Sequence, residues 1–303
     1  MTALPDESGL TLLQRGWRYQ QERFPLLVHG PLIAVMAFGA FGYAVSSAEF
    51  QPDLYRYLAC WAGLLAFFFL LRVADEFKDY ETDCAHRPYR AVPRGLVSLR
   101  ALGMAAVVAL VLQVVLAVVV GLQLWGPLII AWIWLGLMTR EFFVGDWLEA
   151  RPVLYLFSHM LIMPLLMFYA LAHFGAVSVA QVWPLLPLAL GVGLCLELGR
   201  KIRRPQDEEA GVDTYSALWG PRRAAMAWFA AVLFTLFWLG WALRLIAPLS
   251  LAVLVILAGL GLSVFLLVWH ARQPDSRAAR GFEGLSAVLI LLSYGAIGVT
   301  PWL

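Results

Sequence analysis

The sequence predicts an all-α polytopic membrane protein: nine transmembrane helices around a central cavity, with charged cytoplasmic loops capping it. Three observations carry that expectation. Apolar residues make up 62% of the 303 and charged residues only 14%, where a soluble domain is roughly half apolar and about a quarter charged. The apolar residues fall in repeated blocks of about 18–23, the length that spans a bilayer as a helix. The basic residues then sort to one side of the resulting topology.

The blocks place spans over 26–46, 55–74, 101–121, 124–139, 152–173, 180–199, 223–243, 247–269 and 284–302. Residues 1–25 are polar and hold no apolar h-region, so they read as a cytoplasmic segment and not a cleaved signal peptide. No soluble domain or low-complexity linker interrupts the rest, and residues 1–303 read as one transmembrane domain.

Charge placement tests the span count. With the N-terminus inside, only Arg56 and Arg244 of the 22 Lys and Arg fall on the outer side, and Arg72 lies at the inner end of the second span. That is the asymmetry of the positive-inside rule. The C-terminus is therefore expected outside, and the location is expected to be a bacterial inner membrane. Nucleic acid is not expected as a partner, because the basic residues face the cytoplasmic leaflet.

The second span ends in an unusual way. "DEFKDYETDCAHRPYRAVPRG" follows an almost wholly apolar run and places Asp75, Asp79 and Asp83 at i, i+4 and i+8. On a helix these form one stripe, with Glu76 on the same flank. Like charges so arranged destabilise a helix unless a cation sits among them. A solvated helix end marking the membrane surface is the plain reading, but inner ends usually carry Lys and Arg. Carboxylates suit Mg²⁺, which binds through one or two of them plus substrate phosphates. Arg87, Arg90 and Arg94 follow, and guanidinium groups bind phosphate oxygens bidentately. Acids for a metal and cations for phosphate describe a diphosphate site, with Asp75, Glu76, Asp79 and Asp83 as candidate metal ligands and Lys78, Arg87, Arg90 and Arg94 as candidate phosphate contacts.

"ELGRKIRRPQDEEAGVDTYSALWG" ends the sixth span and repeats the theme. Glu197 lies at the helix end, then Arg200, Lys201, Arg203 and Arg204, then Asp207, Glu208 and Glu209, then Gly211 and Asp213-Thr214. Alone it reads equally as an ordinary cytoplasmic loop. Beside the first loop, a shared role across one cavity mouth is favoured.

Three cysteines, Cys60, Cys84 and Cys195, show no ligand or disulfide spacing and read as small apolar residues. His159 lies inside the fifth span with Tyr155 at i−4. An intramembrane ionisable group is a functional candidate by default, here as an acceptor contact or a base; the competing reading is a buried neutral histidine bonded to a neighbouring helix. Glu141 and Asp146 are further candidates for acceptor contact. His29, His86 and His173 receive no role. Phe67, Phe68, Phe69, Trp132 and Trp134 read as packing or interfacial residues, of a type that also stabilises cations.

Along essentially its full length the chain resembles the UbiA-type intramembrane prenyltransferase superfamily. The family's first motif, Asn-Asp-x-x-Asp-x-x-x-Asp, is similar to Asp75-Glu76-Phe77-Lys78-Asp79-Tyr80-Glu81-Thr82-Asp83. Its Arg-Pro-x-Arg-Pro pattern is similar to Arg87-Pro88-Tyr89-Arg90 with Val92-Pro93-Arg94-Gly95, and its second acidic motif to Asp207–Ser216. The chain departs in carrying Asp75 and Glu76 for Asn and Asp. Arg200, Lys201 and Arg203 stand where many members have aspartates. Gly145-Asp146-Trp147 lacks the Lys-Arg pair that many members carry after the fourth span, which shifts diphosphate contacts toward Arg140, Arg151 or the second loop.

The resemblance implies nine helices and a Mg²⁺-dependent reaction. An isoprenyl diphosphate is ionised to an allylic cation, and an acceptor of unknown identity attacks the cation within the lipid bilayer. It also implies that Asp75, Asp79, Asp83, Glu197 and Asp207 are catalytic, with Asp207 joining the metal ligands, and that Arg200, Lys201 and Arg203 join the diphosphate contacts. Two other readings compete. A terpene cyclase of the same fold would use the substrate's own double bond as the attacking group. A transporter would place its charges near the bilayer midplane on broken helices, whereas these acids lie at helix ends.

Overall fold

The computed structural model describes residues 7, 9–47, 51, 53–175, 179–209, 212–272 and 276–303, and among them it contains helices and no strand. In chain order these are α1 (Leu12–Arg23), α2 (Leu26–Ser47), α3 (Leu54–Lys78), α4 (Tyr80–His86), α5 (Leu99–Val120), α6 (Trp125–Thr139), α7 (Gly145–Glu149), α8 (Pro152–Met160), α9 (Ile162–Ala172), α10 (Val179–Val182), α11 (Leu185–Arg200), α12 (Tyr215–Trp219), α13 (Pro221–Ile246), α14 (Leu249–Arg272) and α15 (Ser276–Gly298).

Eight stretches of the described residues are long and apolar enough to cross a membrane. The ninth expected span, 180–199, is α11 preceded by the short α10. Its 16 residues rise only about 24 Å, less than the roughly 30 Å hydrocarbon core. It packs against α9, α13 and α15, and 11 of the 16 are buried. A helix clad by protein need not match the lipid thickness. The span expected over 152–173 is interrupted at Leu161, because Pro164 has no N–H to give the Met160 carbonyl.

The polar N-terminal segment also folds. Thr11 and Gln14 form a capping box that starts α1, and Tyr19 packs on Val73, Ala91, Val92, Leu96 and Leu102. The transmembrane helices pack in a closed succession, α2–α3, α3–α6, α6–α9, α9–α11, α11–α13, α13–α14 and α14–α15, with α15 returning to α2. At that closure a Cβ on Gly42 would stand 2.6 Å from the Gly298 Cα and the Ile297 carbonyl, so only glycine permits the approach. On the outer face of α5, Val107, Val108, Val111, Val115, Val118 and Val119 are exposed, a surface suited to lipid and not to water.

Alternation of the helices brings the C-terminal ends of α3, α6 and α11 and the N-terminal ends of α5, α8 and α13 to one end of the bundle. Both charged segments lie there.

Candidate functional site

The last turn of α3 sets the acidic groups. Arg72 reaches Asp75 at 3.4 Å. Asp79 caps the helix, with its N–H on the Asp75 carbonyl at 2.9 Å. The nearest cations are committed elsewhere: Arg72 to Asp75, Lys78 to Glu141 and Arg87 to Asp83. Burial first, and then the neighbouring Asp75 charge, push the Asp79 carboxyl above the usual carboxylate range.

Glu76 faces another way. Adjacent helical positions are about 100° apart, and Glu76 is buried against α1, where Arg23 Nε bonds its carboxylate at 2.5 Å. Asp83 is also turned aside. The chain bends at Asp79 (φ −88°, ψ 3°) and α4 restarts at Tyr80, so the expected stripe is not one straight helix. The buried Asp83 carboxylate binds Arg87 at 2.5 Å and Arg90 at 2.9 Å. It thereby anchors the Arg-Pro segment, whose turn closes at Gly95 with φ 82°. Arg87 Nε is buried without a hydrogen-bond partner, a donor left free for an anion. Arg94 points toward α1, where its guanidinium bonds Glu7 at 3.0 and 3.2 Å and Glu22 at 2.7 and 2.8 Å.

At the end of α11, Glu197 is buried and bonds Arg200 Nη2 at 2.5 Å and Lys201 at 3.1 Å. Gly199 makes this position possible: a Cβ there would lie 2.7 Å from the Phe282 carbonyl. Lys201 Nζ lies 5.6 Å from the Tyr215 ring centroid. Asp207 is exposed and pairs with Arg204 at 2.9 Å; that bond holds its carboxyl below the usual range. Arg203 pairs with the exposed Glu209 at 3.3 Å. Glu208, which the sequence did not single out, accepts from Thr214 at 2.7 Å and Ser216 at 2.8 Å and fastens the loop to α12. Gly211 lies outside the described residues.

The two charged segments meet. Tyr89 donates to Glu209 at 3.0 Å across 120 positions, and Asp75 acts electrostatically on Arg200. Asp75 and Asp79, Arg72, Arg87 and Arg90, and Arg200 and Lys201 thus share one end of the bundle. Glu76, Asp83, Arg94 and Asp207 are spent on other partners. Among the described residues no three His, Cys, Asp or Glu side chains are gathered closely enough to hold a metal by themselves. Mg²⁺ beside a diphosphate needs only one or two carboxylates. Asp75 and Asp79 fit that role: they are one turn apart, and Asp79 has no cation of its own.

A second polar group lies at the same end. Glu141, Phe142 and Phe143 have φ of 47°, 53° and 61°, a left-handed turn that side chains rarely adopt. It carries Glu141 to Lys78 and Tyr155. Lys78 donates to the Tyr155 hydroxyl at 2.7 Å, and that hydroxyl donates to Glu141 at 2.9 Å. His159 Nε2 lies 3.2 Å from the other Glu141 oxygen. Burial would raise the Glu141 carboxyl, but His159 and Lys78 outweigh it and hold it at about 2. The structure thus unites Glu141, Tyr155, His159 and Lys78, and leaves Asp146 exposed. Arg151 stacks on Trp147 at 4.3 Å.

The sequence profile of the UbiA prenyltransferase family matches residues 34–289. Three solved structures share the fold. One is the apo form of a UbiA homolog from Aeropyrum pernix K1, 15% identical, covering 90% of this chain and 98% of that one with a TM-score of 0.67. Another is a digeranylgeranylglyceryl phosphate synthase, 17% identical, covering 95% and 98% with a TM-score of 0.62. The third is a UbiA homolog from Archaeoglobus fulgidus bound to DMAPP and Mg²⁺, 14% identical, covering 93% and 99% with a TM-score of 0.57. Comparison with curated proteins gives no match.

Proposed function

This chain belongs to the UbiA prenyltransferase family, and on that premise we propose that it is a Mg²⁺-dependent intramembrane prenyltransferase. It ionises an isoprenyl diphosphate at the charged end of the bundle and passes the prenyl group to an acceptor. The observation that carries this reading is the Tyr89–Glu209 hydrogen bond that joins the two charged segments at one end of the bundle, with Asp75 acting electrostatically on Arg200. The Archaeoglobus fulgidus homolog with DMAPP and Mg²⁺ supports the ligand class.

Asp75 and Asp79 would hold Mg²⁺, which supplies positive charge to the departing diphosphate. Arg87 and Arg90 on one loop, with Arg200, Lys201 and Arg203 on the other, bind the remaining phosphate oxygens. Glu197 and Asp83 act through these cations, because each fixes two of them in place. The hydrocarbon tail lies among the apolar helices, where water is scarce and a cation outlives capture. By the positive-inside asymmetry the N-terminus and both loops lie in the cytoplasm, with a bacterial inner membrane as the setting.

The test is diphosphate release from a panel of prenyl diphosphates with and without Mg²⁺. Release should require Mg²⁺, and Asp79→Ala should abolish it while the protein stays folded; unchanged turnover in Asp79→Ala would defeat the assignment. Geranylgeranyl diphosphate given alone separates transfer from cyclisation, because a cyclic hydrocarbon formed without acceptor would assign a cyclase.

A further inference from the structure

Two hydrogen-bond acceptors face each other at the same end of the bundle. His159 Nδ1 lies 2.9 Å from the Tyr155 carbonyl. A carbonyl oxygen only accepts, so Nδ1 carries the hydrogen, and in the neutral ring Nε2 is the basic nitrogen. That nitrogen is 3.2 Å from Glu141 Oε2. Both atoms are buried and neither has a hydrogen-bond partner. Two buried lone pairs opposed in this way are costly, and a proton on Nε2 turns their repulsion into attraction.

The surroundings keep that position dry and charged. The Tyr155 ring stacks on the imidazole at 4.0 Å, and Phe142 meets it edge-on at 5.9 Å. Lys78 and Tyr155 occupy the other Glu141 oxygen. Phe142 sits in the left-handed turn of 141–143. Neither Glu141 nor His159 has a part in the ionisation proposed above.

We propose that Glu141 and His159 together take up the proton that a protic acceptor, one bearing an O–H group, releases on prenylation. This rests on the prenyltransferase reading. In the step, the allylic C–O bond to diphosphate breaks with its electron pair on the diphosphate. The acceptor oxygen gives a lone pair to the allylic carbon and forms the new C–O bond. The acceptor's proton moves to His159 Nε2, where the Glu141 carboxylate faces the resulting imidazolium.

The test uses the full chain in liposomes with Mg²⁺, geranylgeranyl diphosphate and dodecanol as the protic probe. The readouts are diphosphate release and the ratio of dodecyl prenyl ether to the prenyl alcohol formed by water capture. Wild type should form ether. His159→Asn and Glu141→Gln should each lower the ether formed per diphosphate released by about tenfold or more, the scale of a lost general base. An unchanged ratio in both variants overturns the proposal. So does loss of release itself in both, which would assign the pair to ionisation. So does a wild type that releases diphosphate without forming ether. A wild type that releases no diphosphate at all with Mg²⁺ instead overturns the prenyltransferase reading beneath it.

Discussion

The Tyr89 hydroxyl donates to Glu209 Oε2 at 3.0 Å, joining two loops that lie 120 positions apart. Both side chains are exposed, so the bond adds little to stability, about 0.5–1.5 kcal/mol at most. Its effect is on the relative position of the loops. Tyr89→Phe should leave the melting temperature within about a degree or two and raise KM for a prenyl diphosphate more than it lowers kcat. A steady-state titration checks this; a fall in kcat alone would show that the loops are held by other contacts.

Arg87 and Arg94 belong to the same motif but face different partners, and substitution should separate them. Arg94 makes hydrogen bonds to Glu7 and Glu22 on and before α1. Arg94→Gln should cost about 1–3 kcal/mol of stability with little change in KM. Arg87 has a buried Nε with no partner. Arg87→Gln also unpairs the buried Asp83 and should cost stability, but unlike Arg94→Gln it should raise KM by about tenfold, the loss of one charge-assisted bond to phosphate. Thermal unfolding and prenyl diphosphate kinetics on both variants decide it, and the reverse pattern would place Arg94 at the substrate.

Glu141 gives the fold a defined acid response. Its carboxyl is held at about 2 against an ordinary 4.5. A depressed folded value means the unfolded chain takes the proton first. The stabilisation is therefore present above about 4.5 and lost as pH falls toward about 2. Glu141→Gln should be less stable than wild type near neutrality, and the difference should shrink across that window. Melting curves against pH check it; a constant difference would mean that the Lys78 and His159 contacts do not survive in solution.

Much of this was legible in the chain itself. The lengths of the apolar blocks and the one-sided placement of Arg and Lys gave the bundle and the end at which the loops gather. The i, i+4 relation of Asp75 and Asp79 survives because it is local. What spacing could not show is which neighbour each charge would choose. Glu76 and Asp83 share the acidic run, yet one turns to Arg23 and the other to Arg87 and Arg90, because the chain bends at Asp79 and α1 folds against α3. Glu208 was passed over because three acids in a row look equivalent until Thr214 and Ser216 select one of them. The union of Glu141 with His159 depends on three left-handed residues, none of them glycine, and no composition signal announces such a turn.

The buried pair of Arg23 and Glu76 permits a sharper separation of structure from catalysis. The two side chains are 14% and 1% exposed and lie 2.5 Å apart. Removing one partner of such a pair leaves an uncompensated charge and costs about 3–5 kcal/mol, whereas replacing both with apolar groups of similar size is often neutral or better. Arg23→Leu alone should therefore lower the melting temperature strongly, and Arg23→Leu with Glu76→Leu should recover most of the loss. The double variant then reports on chemistry without the penalty. If Glu76 serves only to brace α1 against α3, Mg²⁺-dependent diphosphate release returns with the fold. If Glu76 is a metal ligand, the double variant is stable and inactive, and the metal site must be redrawn to include it.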